Sequence, residues 1–140
     1  MNENNHSKLE AIEAIKTVRD FMPRAELAAI ATNMRGGEKQ FFFNKIVELA
    51  ERIKTMPVTY EQDGKGQQAI AYLHYFMGNM NWYITEKDIG TEEEPGQRQA
   101  FGFADLGMGF PELGYISITE LVDAGVDLDL YFEPKMLREI

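Results

Sequence analysis

The stretch Gln68-Ala-Ile-Ala-Tyr-Leu-His-Tyr-Phe-Met-Gly-Asn-Met-Asn-Trp-Tyr-Ile-Thr-Glu86 decides how the rest of the chain is read. Its first half alternates with a period of two. Ile70, Tyr72, His74 and Phe76 fall on one side of an extended segment, and Ala69, Ala71, Leu73 and Tyr75 on the other. Gly78-Asn79 signals a turn, so Asn81–Glu86 is expected to return antiparallel to a first strand over Gln68–Met77.

Toward the C-terminus the same short period recurs. Thr91–Gln99, with Glu92-Glu-Glu-Pro-Gly96, reads as a solvated loop. Ala100–Leu106 is a third strand, and Glu112–Ile116 a fourth after the glycine-rich Gly107-Met-Gly-Phe-Pro111. Ser117-Ile-Thr-Glu120 has the spacing of a capping box, in which serine and glutamate side chains satisfy free amides at a helix start; that helix ends by Gly125. Val126–Phe132 alternates again as a fifth strand, and Pro134 is expected to open a short terminal helix.

Toward the N-terminus the period lengthens to that of a helix. Leu9, Ile12, Ile15, Val18 and Met22 form a stripe over residues 8–22, which Pro23 ends. Alanine-rich Arg24–Met34 is a second helix, stopped by Gly36-Gly37. A third runs from about Glu38 to Lys54, with Phe42, Ile46, Leu49 and Ile53 in line, widened by Phe43, Val47 and Ala50. Phe41–Phe43 are expected to pack on the sheet or the first helix. The class is α+β: about three N-terminal helices packed with a mainly antiparallel sheet of about five strands, one helix before the last strand, and a short C-terminal helix. The chain reads as one domain over 1–140, with a helical part of about 8–56 and an acidic part of about 58–140.

Charge divides along the same line. Before Val58 nine Lys and Arg face eight acids, a net of +1; from Val58 on, five face fifteen, a net of −10. A field of that sign repels phosphates, which argues against direct nucleic-acid binding and suits a basic protein partner or a cation. The absence of cysteine excludes thiolate catalysis, thiolate metal sites and disulfides. Met1–Ser7 lacks the pattern of a signal peptide, and no apolar run reaches the roughly 20 residues of a membrane span, so the expected location is the cytoplasm.

No nucleophile elbow, phosphate loop, dinucleotide fingerprint or zinc-protease motif is present, and no catalytic residue is assigned. His6 sits in an N-terminus expected to fray. His74 lies mid-strand among apolar neighbours, where a hydrogen-bonded structural histidine is the usual outcome. Glu86 and Asp88 are two apart and, with Asp105 and Glu112, would make a divalent-cation site of carboxylate oxygens if the four converged. That convergence would support a metal-dependent nuclease; otherwise the acids are hydrated hairpin ends, and no other cofactor is indicated. The aromatic set including Trp82, Tyr83 and Tyr115 is dense. With acidic neighbours it suits core packing or a protein-binding face better than a nucleic-acid stacking platform.

Five ordered strings, Ala71-Tyr-Leu-His-Tyr-Phe76, Trp82-Tyr-Ile-Thr-Glu-Lys-Asp88, Gln99-Ala-Phe-Gly-Phe-Ala-Asp-Leu106, Glu112-Leu-Gly-Tyr-Ile-Ser117 and Leu128-Asp-Leu-Tyr-Phe-Glu-Pro-Lys135, carry a family likeness. Over roughly Phe41 to Ile140 the chain resembles an uncharacterised domain family of plasmids, phages and conjugative elements, similar to the large polyvalent-protein-associated domains. The resemblance implies an accessory role around mobile-element DNA or host defence and brings no assigned reaction. The matching polar positions are His74, Trp82, Glu86, Asp105, Glu112 and Tyr115. The expected function is a mobile-element accessory protein that binds a host or element protein, with counter-defence or DNA mimicry as an extension; the metal-dependent nuclease is the alternative.

Overall fold

The computed structural model describes residues 5–93 and 96–140. Met1–Asn4 of the N-terminal stretch, and Glu94 and Pro95 of the expected solvated loop, lie outside the described residues. Three helices come first: α1 (Lys8–Val18), α2 (Arg24–Asn33) and α3 (Lys39–Thr55). A strand β1 (Ile70–Ala71) follows, then β2 (Leu73–Met77), β3 (Met80–Glu86), β4 (Ala100–Asp105) and β5 (Glu112–Ile116). Helix α4 (Ile118–Asp123), β6 (Asp127–Leu128), β7 (Lys135–Met136) and a 3-10 turn over Leu137–Glu139 complete the chain. The α+β architecture is the one expected. Among the described residues no helix is long and apolar enough to cross a membrane.

The main sheet is antiparallel with strand order β5-β4-β3-β2-β6. Gly78, with φ 59°, supplies the positive φ that a two-residue hairpin turn needs at its first central position. One face of the sheet carries Leu73, Tyr75, Ile84, Ala100 and Ile116 into a core completed by α1, α3 and α4. The other face carries Tyr83 and Phe103, which pack with Ala69, Ala71, Phe132 and Leu137 in a second, smaller cluster. That second cover exists because the expected first strand breaks at Tyr72. Ala69 and Ala71 leave the main sheet and β1 pairs with β7 instead.

Two more expectations are corrected. The fifth strand shrinks to Asp127–Leu128 because Asp129 turns the chain: its Oδ1 accepts from the Tyr131 amide at 2.9 Å, an Asx turn. The expected short terminal helix is present as the 3-10 helix Leu137–Glu139, with β7 between it and Pro134. His6 is held rather than frayed. Its amide donates to Asn44 Oδ1 at 2.8 Å, and Ser7 and Glu10 form the reciprocal capping box that starts α1. The other box is half made, since Ser117 accepts from the Glu120 amide at 3.1 Å and the return bond is absent.

The helices reverse one sequence reading. In α1 the buried face is Ala11, Ala14 and Val18, while Leu9 and Ile12 face water. Small alanines let α1 lie close against α3, whose buried stripe includes Phe43, Ile46, Leu49 and Ile53. Of the three phenylalanines, Phe43 is buried and Phe42 half-buried, but Phe41 is exposed and stacks on Tyr131 with centroids 6.2 Å apart. Lys87, just after β3, donates from Nζ to the Ile53 and Lys54 carbonyls at 2.6 and 3.1 Å. It thereby satisfies the end of α3 and couples helix to sheet. The close α1–α3 approach makes Ala11→Leu costly, by about 1–3 kcal/mol of overpacking, whereas Leu9→Ser should stay within about 0.5 kcal/mol. Urea denaturation of the two variants checks the order; a larger loss from Leu9→Ser would contradict this packing.

Candidate functional site

The site arises from an irregularity in the pairing of β3 with β4. Ile84 pairs with Gly102, but Glu86 pairs with Phe101, so Thr85 and Glu86 together oppose one residue. Such a bulge re-aims the side chains that follow it. By simple alternation Glu86 would share the core face with Ile84. The bulge instead brings it to the face of Phe101 and Tyr115, which are themselves cross-strand partners. Gly102 stands opposite the bulge, where a Cβ would lie 2.0 Å from the Tyr83 carbonyl oxygen, too close for any other residue without movement.

Glu86 is 3% exposed and forms part of a cavity of about 470 Å³ lined by Tyr60, Asp63, Phe101, Leu113 and Tyr115. The segment 60–70 closes over the sheet through Gln62. Its amide N–H donates to Glu86 Oε2, its side-chain amide donates to the Thr85 and Ile70 carbonyls at 2.8 and 2.9 Å, and its Oε1 accepts from the Ile70 amide. Tyr60, with φ 81°, is held in the left-handed region although it is not a glycine. This turn carries its hydroxyl to within 2.6 Å of the Tyr115 hydroxyl at the rim. The Tyr115 hydroxyl is pushed above its ordinary pKa by that bond, and further by burial and the nearby charges of Tyr60, Asp63 and Glu86. No Lys, Arg or His lies within ion-pair distance of Glu86 among the described residues. A carboxylate removed from water without a cation is costly, so the cavity favours an occupant that brings a positive charge.

His74 forms a separate cluster on the same sheet face. Its Nδ1 lies 2.9 Å from Asp129 Oδ2 and its Nε2 2.8 Å from Asn81 Oδ1, and its ring stacks on Tyr83 at 4.5 Å. Asp129 is also bound through its backbone, donating to the His74 carbonyl at 2.8 Å. Nδ1 thus helps fix the 127–132 segment on β2, while Nε2 is engaged by Asn81 of β3. Burial raises the Tyr83 hydroxyl pKa, with Asp105 and Asp129 adding to it.

The remaining predicted residues do not join either group. Trp82 turns to the core face, half-buried between Tyr75 and Ala104. Asp88 is consumed as a loop clip, accepting from the Gly90, Arg98 and Gln99 amides. Asp105 accepts from the Gly107 amide at 3.0 Å, and Glu112 is exposed on β5. The four acids Glu86, Asp88, Asp105 and Glu112 therefore do not converge. Among the described residues, no group of three or more His, Asp or Glu is placed to hold a metal ion. Sequence reasoning missed Tyr60, Gln62 and Asp63, which reach the cavity only through the fold of the 60–70 segment.

One half-buried acid outside the cavity was also unsuspected. Glu26 of α2 accepts from the Leu128 amide at 2.8 Å across to β6. Burial raises its pKa from the ordinary 4.5 to about 7, with Asp127 and Asp129 adding to the rise against the lowering effect of the Leu128 bond. Because the folded pKa lies above the unfolded one, the stability tied to protonated Glu26 is whole below pH 4.5. It is lost as pH rises through about 7. Solvent screening at this half-buried position leaves about 1–2 kcal/mol of the full effect. Glu26→Gln should lack this decline, which paired denaturation curves from pH 4 to 8 will show.

The sheet, its bulge and the cavity fall within a recognised family. Residues 44–137 match the family described as "Protein of unknown function (DUF2958)", and the chain belongs to it. No curated protein and no solved structure gives a significant match.

Proposed function

We propose that the chain is a binding protein without catalysis of its own, which captures a basic protein partner by taking an arginine or lysine side chain into the Glu86 cavity. The observation that carries this reading is a carboxylate only 3% exposed, without a cation partner, facing an open aromatic cavity. Aromatic walls suit the flat guanidinium or the methylene stem of lysine, and Glu86 and Asp63 supply the charge complement. The surplus of acids from Val58 onward steers such a partner toward this part of the chain.

The setting belongs to the same proposal. The likeness of the five ordered strings to domains of phages, plasmids and conjugative elements supports a cytoplasmic accessory role in a mobile element. The partner is then a host or element protein, and an acidic surface of this kind would stand in for DNA toward a restriction or CRISPR component. The nuclease alternative loses its motive, because it was built on four carboxylates that the fold holds apart.

Titration of N-acetyl-arginine amide, followed by backbone amide NMR, tests the cavity directly. Saturable shifts at Gln62, Glu86 and Tyr115 are expected, weakened about ten-fold or more in Glu86→Gln. N-acetyl-norleucine amide should bind far less. Equal binding of the two probes, or no effect of Glu86→Gln, would sink the proposal.

A further inference from the structure

The two edges of the main sheet differ. On one side β6 is two residues long and its exposed Asp127 lies near Glu26. On the other, β5 (Glu112–Ile116) is the outermost strand for five residues. It pairs with β4 without a register shift and contains no lysine, proline or bulge, the devices that ordinarily keep an open edge from pairing. Gly114 at its centre has open space where a Cβ would stand, so the sheet face opposite Tyr115 is uncovered at this strand. The loop that leads into β5 exposes apolar side chains, with Met108 73% and Phe110 83% exposed.

Leu113 of β5 lines two cavities. The Glu86 cavity lies on its Tyr115 side, and a second of about 350 Å³ lies on its Pro111 side, formed with Phe103, Leu137 and Ile140. A strand added beside β5 would send alternate side chains to this face about 6.8 Å apart, the spacing of residues two positions apart. We infer that β5 receives an extended segment of the partner as an added strand, with a basic side chain in the Glu86 cavity and an apolar one, two residues away, in the Pro111–Leu137 cavity. Main-chain hydrogen bonds would supply affinity and the two cavities the sequence preference. Charge selects a basic segment over a second copy of the chain. Pairing β5 with itself would bring together two molecules of net charge −9, each with Glu112 on the shared edge.

This inference rests on the Glu86 reading, and the test separates them. The probes are acetyl-Thr-Arg-Thr-Val-Thr-Val-Thr-amide and its reverse sequence, added to the full chain. At least one is expected to bind and to slow amide exchange in β5. N-methylation of either its threonines or its arginine and valines, whichever set faces β5, should weaken it about ten-fold or more, while the other set is tolerated. Binding that depends on Glu86 but leaves β5 exchange unchanged and tolerates both methylation patterns would overturn the added strand and leave the cavity reading standing. No binding of either peptide at millimolar concentration would overturn both. A dimer of the free chain in sedimentation, with β5 amides protected in it, would show that a second copy holds the edge and overturn the inference.

Discussion

The bulge at Thr85–Glu86 is the constraint on which the site depends. A strand of strict alternation would place Glu86 beside Ile84, which is fully buried among helices and sheet. A carboxylate there would have neither a ligand nor solvent within reach, at a cost of several kcal/mol. One extra residue moves it to the opposite face, where the Gln62 amide donates to it and an open cavity adjoins it. The bulge in turn relies on Gly102, whose missing side chain lets β4 approach the Tyr83 carbonyl. A single backbone irregularity therefore separates a chain with an inert core from one with a charged pocket.

Covering the second face is what gives that pocket walls. An antiparallel sheet of this size needs only one face packed, and its other face is commonly left to water. Here the chain breaks at Tyr72, sends Ile70 and Ala71 to pair with the C-terminal β7, and closes Phe132 and Leu137 over Tyr83 and Phe103. Arg52 of α3 donates to the Phe132 carbonyl at 2.8 Å, and His74 bonds Asp129. The C-terminal segment is thus held from both sides, and the grooves beside it persist because a short segment cannot cover the whole face.

The sequence made the elements legible where period and punctuation agreed. The C-terminal end of β2, with β3, β4, β5 and α3, lies within a residue or two of its expected bounds, because each has clean alternation or a clean stripe ended by glycine or proline. It misled where two packing solutions share one pattern. The α1 stripe of Leu9 and Ile12 is apolar, but the space beside α3 admits only alanine, so tertiary fit overrode hydrophobicity. The bulge was illegible because Thr85 and Glu86 carry no glycine to announce it, and Glu86 was therefore paired with Asp88 on one side of a strand that in fact ends between them. Glu86 and Tyr115 were singled out from the sequence, whereas Gln62 and Asp63 could be found only through the folded loop that brings them over β3.

The cavity and the open edge lie next to each other for a geometric reason. Because the bulge acts on the β3–β4 pair, Glu86 is turned toward Phe101 of β4, whose outer neighbour is Tyr115 of β5. Only β5 lies beyond Phe101, so the charge reaches the face one strand from the sheet edge. Lengthening the sheet by a further strand would enclose the cavity on its open side, as the Tyr60 turn already does from above. The fold leaves that last strand out, and the same absence that exposes backbone hydrogen-bonding groups on β5 keeps the carboxylate within reach of a side chain arriving with them.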